Sequence, residues 1–267
     1  MQKEIAQLFG VPIRKSLLIR RPPIVVLTTY VMLMFLGAAC GGESAESTES
    51  PTPTSTTTTL ALSAADYIAA VSESVAGIST AKFTMVDEKE SGELFYGMTF
   101  KDMEATIQDP NSLDIIIRAL NPALGFVEVR MVRVGDQAAM KLSDDAPWAS
   151  IPVDEIPFNF TGLKTVFTVL PTIIRDLVMV GREEVQGSQT MSVRGVITSE
   201  DLTPLVTSAD AGHEVAVTFW ISETDFALKQ LKIVGRLFDG DDPETVRFLV
   251  IEDIDVPVTI ELPEVAS

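Results

Sequence analysis

The sequence predicts an α+β fold: a strongly curled antiparallel sheet of about ten strands, with helices packed in its concave face. Three observations carry that expectation. Segments of period-two apolar alternation recur from residue 82 to residue 254. Two longer stretches have helical spacing instead. Turn residues separate nearly all of these segments, so neighbouring strands are joined by hairpins rather than by crossover helices.

Taken in order, residues 62–79 (LSAADYIAAVSESVAGIS) read as a helix. Ser63 and Asp66 form an S-x-x-D start signal, and Ala64, Ile68, Val71, Val75 and Ile78 make one apolar stripe. Strands are expected at KFTMVD, ELFYGMTF, EATIQ and LDIIIRAL. In FVEVRMVRV, Val127, Val129 and Met131 face one way while Glu128 and Arg130 face the other. Gly135-Asp136 then turns the chain into QAAMKL, as a two-residue hairpin loop does.

Residues 161–179 (TGLKTVFTVLPTIIRDLVM) break the strand pattern. Leu163, Val166, Phe167, Leu170, Ile173, Ile174 and Leu177 form a wide helical stripe, which Pro171 must kink or split because it lacks an N–H. Two strands, VGREEV and QTMSVRGV, follow around a Gln186-Gly187 turn, and SEDLTPLVTSA (199–209) reads as a short second helix. HEVAVTFWIS, LKQLKIVGRL and VRFLVIEDI complete the sheet, with Val215, Val217, Phe219 and Ile221 on one face and Glu214, Thr218 and Ser222 on the other. Ten strands are many for a flat open sheet, which is why strong curling is expected.

Ahead of this domain the composition changes twice. Residues 1–21 carry Lys3, Arg14, Lys15, Arg20 and Arg21 against one acid, Glu4. Residues 22–39 are uncharged and end in Gly37-Ala38-Ala39 before Cys40, the only cysteine. A basic start, an apolar run and a small-residue site together make a secretory signal. The run is shorter than the roughly 20 residues of a spanning helix. Residues 40–60 are rich in Ser, Thr, Pro and Gly and cannot bury enough surface to fold, so they act as a tether. The expected organisation is a signal at 1–39, a lipidated linker at 40–60 and one folded domain at 61–267.

Cys40 has no partner for an internal disulfide and no base beside it to make it a nucleophile. Ala38-Ala39-Cys40 resembles the lipobox of bacterial lipoproteins, although Gly37 stands where a large aliphatic is usual. The resemblance implies that Cys40 becomes the first mature residue and is acylated, as by palmitate. It would then anchor the chain to the outer face of the cytoplasmic membrane.

Removing residues 1–39 takes five bases and one acid from the 20 and 38 of the whole chain, leaving 15 and 37 and a net charge of −22. Such a chain repels nucleic acid and anionic headgroups. Catalytic signals are missing: no G-x-S-x-G, H-E-x-x-H or C-x-x-C occurs, so neither an enzyme nor a metal or other cofactor is expected. His213, the only histidine, starts a strand on the parity of Val215 and reads as structural. FDGDDPET (238–245) lacks the ligand spacing of a calcium loop and reads as a solvated turn.

Helices laid on a curled sheet either fill its hollow, as close-packed interiors do, or leave an apolar cavity. The order of segments speaks to that choice. WASIPVDEIPF precedes the apolar helix, VGREEVQGSQTMSVRGVITSEDL is a hairpin running into a helix, and the chain closes with VTFWISETDFALKQLKIVGRL and VRFLVIEDIDVPVTIELP. This arrangement resembles the LppX/LprAFG lipoprotein family over about residues 60–264. The resemblance implies a half-barrel around a large apolar cavity, similar in design to the carriers LolA and LolB, that binds acylated lipids or glycolipids. A monomer working with a membrane transporter is expected. The family supplies no ligand motif, so the cavity-lining candidates come from the helix stripe: Phe167, Leu170 and Ile174. The alternative is a tethered interaction lipoprotein with a filled core and no ligand.

Overall fold

A computed structural model describes residues 61–94 and 97–266. The signal, Cys40 and the linker to residue 60 lie outside the described residues. Two α-helices and twelve strands make up the described domain: α1 (Ala64–Gly77), β1 (Thr80–Asp87), β2 (Glu93–Leu94), β3 (Met98–Gln108), β4 (Ser112–Asn121), β5 (Gly125–Val134), β6 (Gln137–Lys141), β7 (Ala149–Ile151), α2 (Phe160–Ile173), β8 (Arg175–Val185), β9 (Ser188–Thr198), β10 (Glu214–Ser222), β11 (Leu228–Gly235) and β12 (Val246–Glu252).

All strands join one antiparallel sheet in the order β7-β6-β5-β4-β3-β1-β12-β11-β10-β9-β8, with short β2 added to β3. The sheet is open, with β7 and β8 at its two edges. Alternate residues of almost every strand point to one shared core. Phe83, Ile115, Met131, Val217, Leu231 and Leu249 belong to it, as do the buried faces of both helices. A single layer that surrounds one core from strands this far apart in the order must curl, which is the predicted α+β half-barrel.

The hairpin turns are where the sequence places them. Gln186 and Gly187 both have positive φ, 51° and 71°, the conformation that a two-residue hairpin loop matching strand twist requires. Outside the hollow, the β3–β5 face carries ion pairs. Arg118 reaches Asp102, Glu104 and Glu128 at 2.6–2.8 Å, and these acids hold its guanidinium above its ordinary pKa. Arg130 pairs with Asp114 at 2.6 Å.

Four expectations need correction. ELFYGMTF and EATIQ are not two separate strands: MTF and EATIQ lie in one eleven-residue strand, β3, and only Glu93–Leu94 pair back on it. The helix expected over 161–179 ends at Ile173, and Arg175–Met179 belong to edge strand β8. Pro171 has no N–H to give back to the Phe167 carbonyl, which weakens the last turn, and the β-branched run Thr172-Ile173-Ile174 favours extended backbone. Residues 199–209 hold a 3₁₀ turn at Ser199–Leu202 rather than a longer helix. Pro204 interrupts it, and Val206 bridges to Phe158. Last, the acidic run 238–245 is not solvated throughout, because Asp241 is buried.

Candidate functional site

Between α2 and the sheet lies a cavity of about 40 Å³ whose walls are almost wholly apolar. Leu163, Val166, Phe167 and Leu170 form the α2 wall, while Phe219 and Leu249 stand among the sheet residues opposite. Phe167 packs edge-to-face on Phe219 at 6.1 Å between ring centroids, a favoured aromatic geometry. Helix α1 contributes none of the lining residues. The void belongs to α2.

Two of the three candidates from the helix stripe therefore face the cavity. Phe167 and Leu170 are 2% and 1% exposed and line it. Ile174 does not. It caps the end of α2, donates its N–H to Leu170 O at 3.1 Å, and is buried against Gly195 of β9. A Cβ on Gly195 would overlap the Ile174 side chain. The stripe was drawn on a helix reaching residue 179, and the earlier end of α2 turns Ile174 from wall to hinge. Cys40 lies outside the described residues.

How α2 is held follows from its sequence. Gly162 lets the helix start pack directly on the backbone of Pro204 and Leu205. Asn159 N donates to Leu205 O at 2.8 Å, but its side chain makes no cap. Thr168 and Thr172 turn their hydroxyls back on the helix carbonyls of Lys164 and Val169, each at 2.7 Å. Such bonds satisfy threonine within a helix and tend to bend it.

At one end the apolar lining stops. Arg247, on the inward parity of β12 with Leu249 and Ile251, reaches the cavity and is only 3% exposed. Its Nη2 donates to Asp241 Oδ1 at 2.8 Å and to Glu93 O at 3.3 Å. Asp241 also accepts from the backbone N–H groups of Glu93, Leu237 and Phe238. Sequence reasoning passed over both residues. Both parities of VRFLVIE are rich in apolar residues, so Arg247 carries no signal of facing inward. Asp241 looks like a turn acid until its partners are known.

His213 holds Asp239 Oδ1 at 3.0 Å through Nε2, and its backbone exchanges hydrogen bonds with Ser199. These contacts fix the 199–202 turn to the start of β10. On the outer face, an open groove of about 410 Å³ runs between Trp148 and the C-terminal segment 258–263, with mixed polar lining. Among the described residues no helix is long and apolar enough to cross a membrane.

An open antiparallel sheet wrapped around two helices, with an apolar interior beneath one of them, makes an open half-barrel. The family model described as LppX_LprAFG lipoprotein matches residues 161–265, from α2 through the C-terminal segment. LprF from Mycobacterium bovis has the same fold, with a TM-score of 0.59 at 16% identity over 75% of this chain and 96% of LprF. The lipoprotein LppX from Mycobacterium tuberculosis gives 0.51 at 17% identity over 74% and 98%. No curated protein matches the sequence. Both structural likenesses concern the fold: the described domain has the open half-barrel seen in LprF and LppX.

Proposed function

We propose that this is an exported lipoprotein, anchored through acylated Cys40 and the 41–60 linker, that takes the acyl chains of a lipid or glycolipid between α2 and the sheet and passes them to an acceptor. One observation carries the reading: the void under α2 is lined almost wholly by apolar side chains. Apolar cavities take apolar ligands, and each acyl methylene removed from water contributes about 0.8 kcal/mol.

The void of about 40 Å³ is far below the roughly 300–1,000 Å³ of an occupied ligand pocket. Loading therefore requires α2 to swing from the sheet. Its construction suits that motion. Gly162 packs on Pro204 and Ile174 on Gly195 at its two ends, α1 runs alongside, and between them Val166, Phe167 and Leu170 border the void rather than filling it against the sheet. Roughly ten methylenes contribute about 8 kcal/mol against the cost of parting that interface. The anchor keeps the domain at high effective concentration beside its own membrane. No covalent step is involved.

The same small volume favours a second reading, a tethered interaction domain whose hollow is simply filled. Lipid co-purification separates the two. The full-length protein is isolated from membranes of an export-competent host, washed through a lipid-free detergent and extracted with organic solvent. A discrete acylated lipid near one per protein, absent from a control lipoprotein treated alike, supports the carrier. A bare protein that also refuses offered lipids overturns it and leaves the tethered domain.

A further inference from the structure

The polar end of the hollow has a feature that packing leaves unexplained. Arg247 Nη1 is buried and has no hydrogen-bond partner among the described residues. Two residues earlier, the Thr245 hydroxyl is buried in the same condition. A charged donor taken out of water costs free energy unless it is bonded. The surroundings of Arg247 are built rather than accidental. Asp87, its cross-strand partner on β1, accepts from Gly92 N at 2.7 Å. A Cβ on Gly92 would strike both the Arg247 guanidinium and the Asp87 carboxylate. Phe238 lies beneath the guanidinium at 6.0 Å and lines the same cavity.

The charge balance decides what the free donor can take. Asp241 pairs with this guanidinium at 2.8 Å, Asp87 stands opposite Arg247 on the neighbouring strand, and Glu93, which gives Arg247 its backbone carbonyl, turns its carboxylate against Gly240. Lys89 and Lys101, at the same end of the sheet, are already paired with Glu244 and Glu90. One cation among three acids does not welcome another anion, so a free carboxylate or a phosphate is disfavoured. An uncharged oxygen is not. In a lipid whose chains lie along an apolar wall, the uncharged acceptor nearest the chains is the ester carbonyl.

We propose that Arg247 is the recognition point for the ester carbonyl of an acyl lipid, its buried Nη1 donating to that oxygen at the end of the hollow. This rests on the acyl-chain reading above and adds the chemical class of the linkage. Selection follows directly: esterified lipids are taken, while ether lipids of equal length and free fatty acids are discriminated against.

The test is displacement of a fluorescent diacylglycerol from the full-length protein. Competitors are dipalmitoylglycerol against its dihexadecyl ether, and methyl palmitate against palmitate. Wild type is expected to prefer each ester by about tenfold or more, the worth of one hydrogen bond from a charged donor. In Arg247→Met the preference for ester over ether should vanish while ether binding persists. Arg247→Lys, which keeps the charge but loses the second nitrogen, should lose it too. Equal binding of ester and ether by wild type overturns the inference without touching the acyl-chain reading, and needs no variant. An ester-over-ether preference that survives Arg247→Met overturns it equally. If no competitor and no probe binds, the acyl-chain reading fails and this inference falls with it.

Discussion

Helices α1 and α2 are each 14 residues long and both lie in the hollow of one sheet, yet they are held in opposite ways. Ser63 and Asp66 close a reciprocal cap on α1. Asp66 Oδ2 accepts from Ser63 N at 2.8 Å, and Ser63 Oγ accepts from Asp66 N at 3.3 Å. Tyr67 then ties the helix to the sheet by donating to Glu223 at 3.1 Å and packing on Phe226. Helix α2 has no side-chain cap, carries Pro171 in its last turn and borders the void. The difference teaches where the molecule can change. Helix α1 is capped and tied to the sheet, whereas α2 has no side-chain cap, packs along α1 and forms the wall of the void.

The largest expected effect tests that wall. Phe167→Ala should cost about 3–5 kcal/mol in denaturant unfolding, because it enlarges an existing void instead of letting neighbours collapse. If the loss is under about 1 kcal/mol, α2 is not packed as described. Next comes the pin. Gly162→Ala drives a Cβ into the Pro204 carbonyl and should cost about 1–3 kcal/mol. Hydrogen exchange should show α2 amides losing protection while α1 keeps its own.

A smaller pair sharpens the contrast between helix starts. Ser63→Ala should destabilise by about 1 kcal/mol through loss of the cap, whereas Asn159→Ala should cost only a few tenths. Equal losses would erase the distinction between the two helices. The smallest effect is in pH. Arg182 foremost, with Tyr67, holds Glu223 below the usual carboxylate pKa, and Ser63 does the same for Asp66. Both groups therefore stabilise the fold above the unfolded carboxylate range, near pH 4, and lose that contribution as pH falls through their lower folded values. A melting-temperature titration from pH 7 to 3 should fall less steeply in Glu223→Gln than in wild type.

Several features were legible from local chemistry. The capping box of α1 needs only Ser63 and Asp66 three residues apart. The Gln186-Gly187 turn needs only residues that tolerate positive φ. Phe167 and Leu170 are buried beside the void, on the inward stripe that helical spacing sets over one or two turns. Ile174 was lost for a local reason of another kind. Pro171 and the β-branched residues after it end the helix sooner than the apolar stripe does, and a stripe of apolar residues continues just as well along a strand.

Alternation with one polar face was enough for the class of fold, because it calls for antiparallel strands burying one shared face, and about ten of them are too many to stay flat. Composition also set residues 40–60 apart as an expected tether, a segment that lies outside the described residues. Only the tertiary structure decided that the hollow is nearly filled, that its remaining space lies under α2, and that Arg247 and Asp241 meet at its end. Those outcomes depend on side-chain volumes and partners drawn from β2, β12 and the loop after β11. The patterning of any one segment records which way a side chain points, and not what it meets there.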